Sequence, residues 1–172
     1  MVCGHPYQSG GGFSLGWDTY AGVPCVTGND PAGYVVTDGN IYAGQPGDPP
    51  SFKLALYESN RNSGSSRDPM GTPLCESDIV TLEPGDNVIP LAGCPVLAAS
   101  TTYYIVFVAA SPDTQIGDVR RRACTWSWHG RTGRHTSALD SLSDPFPDAD
   151  AVPWLDDYCQ EMLWLDLASA AQ

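Results

Sequence analysis

Trp126 and Trp128 stand two apart in the run 122–129, which reads as a strand, so their indoles share one face. On an exposed sheet such a pair stacks sugar rings. Buried in a sandwich it fills core, and between subunits it makes an interface. His129 and His135 flank the segment 130–134, Gly-Arg-Thr-Gly-Arg, which reads as a hairpin loop. Two imidazoles across a turn can hold a metal, but no third ligand has a defined position, so exposed loop histidines are the expectation. Asp144-Pro145-Phe146-Pro147-Asp148-Ala149-Asp150 offers carboxylates of the kind calcium takes, without the spacing or the glycine of an EF-hand. Its prolines read instead as an extended loop over the surface. Arg120-Arg121-Arg122 is a cationic run whose nearest use is pairing with neighbouring aspartates. GxSxG, Walker A, HExxH and Rossmann glycine patterns are absent. The residues therefore assign no catalytic group, no metal centre and no cofactor.

Six cysteines carry the remaining chemistry, and none has CxxC or zinc-site spacing. Ile79-Val80-Thr81-Leu82 and Asn87-Val88-Ile89-Pro90-Leu91 flank Glu83-Pro84-Gly85-Asp86, a type II turn signature. A hairpin centred on Pro84 and Gly85 would set Cys75 opposite Cys94, close enough to bridge. Cys3 and Cys25 bracket an N-terminal arm, and Cys124 and Cys159 fall on the last two expected strands. Three bridges imply an oxidising final environment. The N-terminus shows no basic and apolar leader, so no signal peptide is expected. A particle assembled inside a cell and then released reconciles the two, and so does a chain already trimmed to its mature form.

The elements that must position these residues read as strands. Eighteen Gly and 15 Pro in 172 residues are scattered as turn punctuation, at the spacing of an all-β sandwich. Val35-Val36-Thr37-Asp38-Gly39-Asn40-Ile41-Tyr42-Ala43 reads as strand, Asp-Gly turn, strand. Phe52, Leu54 and Leu56 have a period of two with one buried face. The run 101–110 is apolar on both faces, marking the most deeply buried strand or one covered on its outer side. At 158–168, Leu163, Leu165 and Leu167 fall on one face and Met162 and Trp164 on the other. A helix is conceivable there, but the all-β context favours a closing strand.

Residues 1–12, ending in Ser9-Gly10-Gly11-Gly12, read as a flexible arm, and 13–172 as a single sandwich domain. Twenty acids against 8 bases give a net charge of −12, which opposes nucleic acid and anionic membranes as partners. Asp exceeds Glu by 16 to 4, much of it turn chemistry.

Several phrases form a recurring pattern in order: Lys53-Leu54-Ala55-Leu56-Tyr57, Gly71-Thr72-Pro73-Leu74, Asn87-Val88-Ile89-Pro90-Leu91 and Leu97-Ala98-Ala99-Ser100-Thr101-Thr102-Tyr103-Tyr104. With Leu15-Gly16-Trp17-Asp18-Thr19 and Asp144-Pro145-Phe146-Pro147, the chain resembles a jelly-roll β-sandwich domain of tailed-phage virion proteins and bacterial surface proteins. The resemblance covers about residues 13–167. The chain departs from the pattern in its long loop 58–70, in Ser100 where a turn glycine is common, and in its cysteines. The resemblance implies an antiparallel jelly-roll-like sandwich of roughly 8 to 10 strands with little helix.

The function so implied is that of a non-enzymatic capsid decoration or tail-associated protein on a virion or extracellular surface. The alternative is a carbohydrate-binding module or adhesin using Trp126 and Trp128, with glycans as partners. A hydrolase with dispersed acids ranks below both. In the run 101–110, Tyr103, Ile105 and Phe107 alternate with Tyr104, Val106 and Val108, and only one set can face the central core. The other set needs a cover, either long loops or another subunit, and this points to a homo-oligomer docked on a larger protein lattice.

Overall fold

Ile41, Leu54, Leu56, Ile105, Phe107, Leu163, Leu165 and Leu167 share one buried core although they come from four separate runs of sequence. In a computed structural model, which describes residues 1–4, 11–14, 19–47, 50–59, 68–109, 115–119, 130–134, 146–151, 154–157, 160–161 and 163–171, those runs are the inner faces of two antiparallel sheets. The strands are β1 (Val2–Gly4), β2 (Gly11–Ser14), β3 (Thr19–Val26), β4 (Tyr34–Gln45), β5 (Ser51–Ser59), β6 (Pro69–Glu76) and β7 (Val80–Thr81). There follow β8 (Gly85–Ile89), β9 (Thr102–Ala109), β10 (Gln115–Val119), β11 (Gly130–Arg134), β12 (Trp154–Asp157), β13 (Gln160–Glu161) and β14 (Leu163–Ser169). Nine of these fourteen run five residues or more, within the eight to ten expected. The one helical piece among the described residues is a 3-10 turn at Ala149–Ala151. The fold is an antiparallel β-sandwich.

One sheet has the order β1-β14-β4-β10-β13, with β8 also on β4 and β2 on β10. The other runs β12-β11-β3-β9-β5-β6, with β7 also on β5. Strand β14 alternates as its leucines require: Leu163, Leu165 and Leu167 are buried, while Trp164, Asp166 and Ala168 are partly exposed. It pairs with β4 from Leu163↔Ile41 to Ser169↔Tyr34, so it closes its sheet as a strand. Strand β9 is buried at all eight positions and lies between β3 and β5.

Four local expectations are corrected. Val35 to Ala43 is no hairpin: β4 runs straight through Asp38 and Gly39, with Gly39 paired to Leu165 on one side and Ile89 on the other. Glycine serves close approach there, since an added Cβ would stand 3.0 Å from Leu54 Cδ2 and 3.2 Å from the Ile89 carbonyl oxygen. The 79–91 hairpin is absent as well. Strand β7 joins β5 in one sheet and β8 joins β4 in the other, so Pro84 and Gly85 turn the chain between layers. Asn87 closes that turn, accepting from the Glu83 N–H at 2.8 Å and donating to the Glu83 carbonyl at 2.8 Å.

The segment 130–134 is strand β11, paired with β3 and β12, and not a loop. Pairing on both edges satisfies backbone groups that a loop would leave to water. Residues 1–12 also differ from a loose arm. Val2–Gly4 pairs with β14, the Met1 ammonium donates to the Leu167 carbonyl at 2.7 Å, and Gly11–Ser14 pairs with β10. Glycine repeats suggest freedom, yet the backbone bonds and Cys3 fix both ends of this segment, and 5–10 lie outside the described residues.

Candidate functional site

Cys75 at the end of β6 is bonded to Cys94, with Cα atoms 4.9 Å apart, and Cys3 is bonded to Cys25 at 5.0 Å. Cys3 sits on β1 of one sheet and Cys25 on β3 of the other, so this bridge fastens the layers across the core. Cys75 meets Cys94 through the packing of β6 against the chain that leaves β8, and not across a hairpin. Two disulfides fit maturation in an oxidising environment, extracellular or secreted. Cys124 and Cys159 lie outside the described residues, as do Trp126, Trp128, His5, His129, His135 and Arg120 to Arg122.

Residues 146–151 cover part of the outer face of the β9 sheet, over β3, β5 and β9. Phe146 and Ala149 are buried against Tyr20, Ala55, Tyr57, Tyr104, Val106 and Val108. Strand β5 is thus buried on both faces, where one was expected, because residues 146–151 lie over Ala55 and Tyr57. Tyr104, Val106 and Val108 have their cover here, from the chain's own loop, so their alternation no longer calls for a second subunit. The tie is polar as well as apolar. Lys53, only 7% exposed, donates to Glu76 at 2.6 Å, and its ammonium stands 5.3 Å from the Phe146 ring centroid. The Phe146 N–H points to the same Glu76 oxygen at 3.4 Å, and the Tyr57 hydroxyl donates to the Pro147 carbonyl at 2.8 Å. Burial, with smaller contributions from Tyr20, Glu76 and Asp148, pushes the Tyr57 phenol far above its ordinary range, so it stays a donor.

The acids of this segment are engaged with backbone. Asp148 accepts from the Asp150 N–H at 3.0 Å, and Asp150 from the Gly71 N–H at 3.4 Å. Among the described residues no three His, Cys, Asp or Glu side chains converge as a metal site. A hollow of about 380 Å³ opens beside the Pro84 turn, between Pro46, Pro50, Leu82 and Glu83, and Glu83 is the one ionisable side chain among its described lining residues.

Among the described residues no buried cluster covers the outer face of the β4 sheet. Trp164 of β14 lies opposite Asn40 of β4, and Asn40 opposite Val88 of β8. Tyr42, two residues along β4 and on the same face, lies opposite Asp86. Trp164 and Tyr42 are partly exposed, and Val88 is 63% exposed. Asn40 donates to Asp166 Oδ2 at 3.0 Å, which fixes that carboxylate on the face. Neither the Trp164 indole N–H nor the Tyr42 hydroxyl has a hydrogen-bond partner among the described residues.

Both arrangements were missed from the sequence. Lys53 as the only lysine, set between Phe52 and Leu54, was the signal for the first. For the second it was Trp164 at the outward parity of a strand whose leucines point in.

Fold and site together define a disulfide-stapled antiparallel sandwich in which residues 146–151 cover part of one outer face. Comparison with family models, curated proteins and solved structures finds no match to this chain.

Proposed function

We propose that the chain is a non-catalytic structural module of a virion or other extracellular surface assembly, a decoration or tail-associated sandwich that docks on a larger protein lattice. The observation that carries this reading is the fastening of the fold. Cys3–Cys25 ties the first strand of one sheet to the second sheet, Cys75–Cys94 ties the end of β6, and residues 146–151 cover part of an outer face. Such reinforcement suits a part that holds its shape outside the cell, without chaperones or replacement. The phrases that resemble those of phage sandwiches fall on β5, β6, β8 and the entry to β9, as strand phrases of a sandwich do. A net charge of −12 keeps free subunits apart, so docking contacts are apolar or neutral at their centres.

The test is recovery from particles. Particles sedimented from the producing culture and washed should retain the chain at a fixed ratio to the main shell protein. A chain found only in the soluble fraction, with no affinity for particles, overturns the proposal.

A further inference from the structure

We infer that the outer face formed by β14, β4 and β8, over which no described cluster packs, is a shallow stacking platform for an uncharged sugar chain, centred on Trp164 and Tyr42. This goes beyond a structural role, since a lattice module has no need of a ligand on its outward face.

The argument starts from parity. In β14 and β4 the leucines, Ile41 and Ala43 take the inward positions, so Trp164 and Tyr42 are directed outward by the pleat. Trp164↔Asn40 is a direct cross-strand pair, which makes Tyr42 the diagonal neighbour of Trp164, within reach of an aromatic side chain. Val88 extends the same row by one strand, so Trp164, Asn40 and Val88 span about 10 Å across the sheet. Asn40 is short and 7% exposed, leaving a low floor between the larger groups.

The polar groups decide the occupant. Trp164 and Tyr42 each hold a donor with no partner among the described residues. Asp166 accepts one bond, from Asn40, and a carboxylate has capacity for more. Asp86 flanks Tyr42 at the edge. A pyranose offers the matching pattern, with C–H groups on a ring face for the aromatic planes and hydroxyls around the rim that both donate and accept. Charge removes the other occupants. Among the described residues, Asp38, Asp86 and Asp166 lie on this sheet, while the cationic residues Lys53, Arg131 and Arg134 lie on strands of the opposite one. Anionic glycans and phosphates are repelled, and a second copy stacked face to face would set the same aspartates against each other.

The experiment is calorimetric titration of the full oxidised chain with neutral gluco-, galacto-, xylo- and chito-oligosaccharides. Binding to at least one, with Kd of about 0.1–1 mM as expected for a shallow open site, supports the inference. Trp164→Ala and Tyr42→Ala should each weaken it by about tenfold or more. Val88→Glu, at a position 63% exposed and therefore harmless to folding, should do the same by blocking the floor. Trp126→Ala should leave it intact. No binding to any of the sugars by about 10 mM overturns the inference, as does binding that survives Val88→Glu or is lost only with Trp126→Ala. Particle recovery is read separately, so failure here leaves the structural proposal standing.

Discussion

Lys53 lies in a strand between Phe52 and Leu54, and its partner Glu76 keeps 26% of its side chain in water against 9% for the lysine. The asymmetry sets a mutational order. Glu76→Gln strips the carboxylate from the better buried partner and should cost about 2–3 kcal/mol. Lys53→Met replaces the stem with an apolar one of similar length and returns Glu76 to water, so the cost should stay within about 1 kcal/mol. Guanidinium denaturation of the two variants checks this, and the reverse order would refute the buried-pair account. Asp30 offers a pH test at the other end of the molecule. It accepts from Ser169 Oγ at 2.7 Å and from the Ala32 N–H at 3.0 Å, and these bonds hold its carboxyl below the usual 3.8. A depressed folded-state value means that its contribution is complete above the unfolded value and disappears as pH falls through the folded one. Amide exchange at Ala32 should therefore accelerate below about pH 3.8 in the native protein. Asp30→Asn should remove that acid dependence, and an unchanged exchange profile in this variant would contradict it.

At the scale of elements, the sequence was most legible where side-chain period reports burial directly. Strand β14 shows its leucines at every second position, and β9 shows a continuous apolar run. It misled where one signal has two physical uses. Asp38-Gly39 has the dipeptide of a tight turn, but Gly39 is spent on letting Leu54 and Ile89 approach β4. Pro84-Gly85 does turn, with Gly85 at φ +104°, yet it carries the chain from one sheet to the other. The Cys75–Cys94 pair was thus found from a hairpin that does not exist, because a nearby turn returns the chain to the same neighbourhood in either topology. Ser100 takes φ +49°, a left-handed conformation that glycine reaches at no steric cost. The strap 146–151 was illegible as a cover, since its partners on β5 lie about ninety positions away, as in Tyr57 to Pro147. Phe146→Ala should cost about 3 kcal/mol and uncover Tyr57, Tyr104 and Val106. A rise in binding of a hydrophobic dye, with the far-ultraviolet spectrum kept, is the expected signature. Dye binding equal to that of the parent protein would show that the strap is not the cover.

For the whole molecule, the two disulfides close separate loops, with sequence separations of 22 and 19 that do not overlap. Each removes chain entropy from the unfolded state worth about 3 kcal/mol, and loops that share no residues contribute independently, giving about 6 kcal/mol together. A domain of this size has a total stability of about 5–15 kcal/mol, so the bridges account for a large part of it. Their positions add to this. Cys3 anchors β1, which is also held by a three-residue ladder to β14 and by Met1, whose ammonium donates to the Leu167 carbonyl and whose carbonyl accepts from the Leu167 N–H. Reduction should first release that strand, exposing the β14 edge, and then lower the guanidinium midpoint of the whole sandwich. Cys3→Ser with Cys25→Ser should reproduce the early loss, read as faster amide exchange along Leu163–Ser169, while Cys75→Ser with Cys94→Ser leaves that exchange nearer the parent rate. A reduced chain that unfolds at the same denaturant concentration as the oxidised one would show that the strands alone carry the fold, and would remove the main physical support for a role outside the cell.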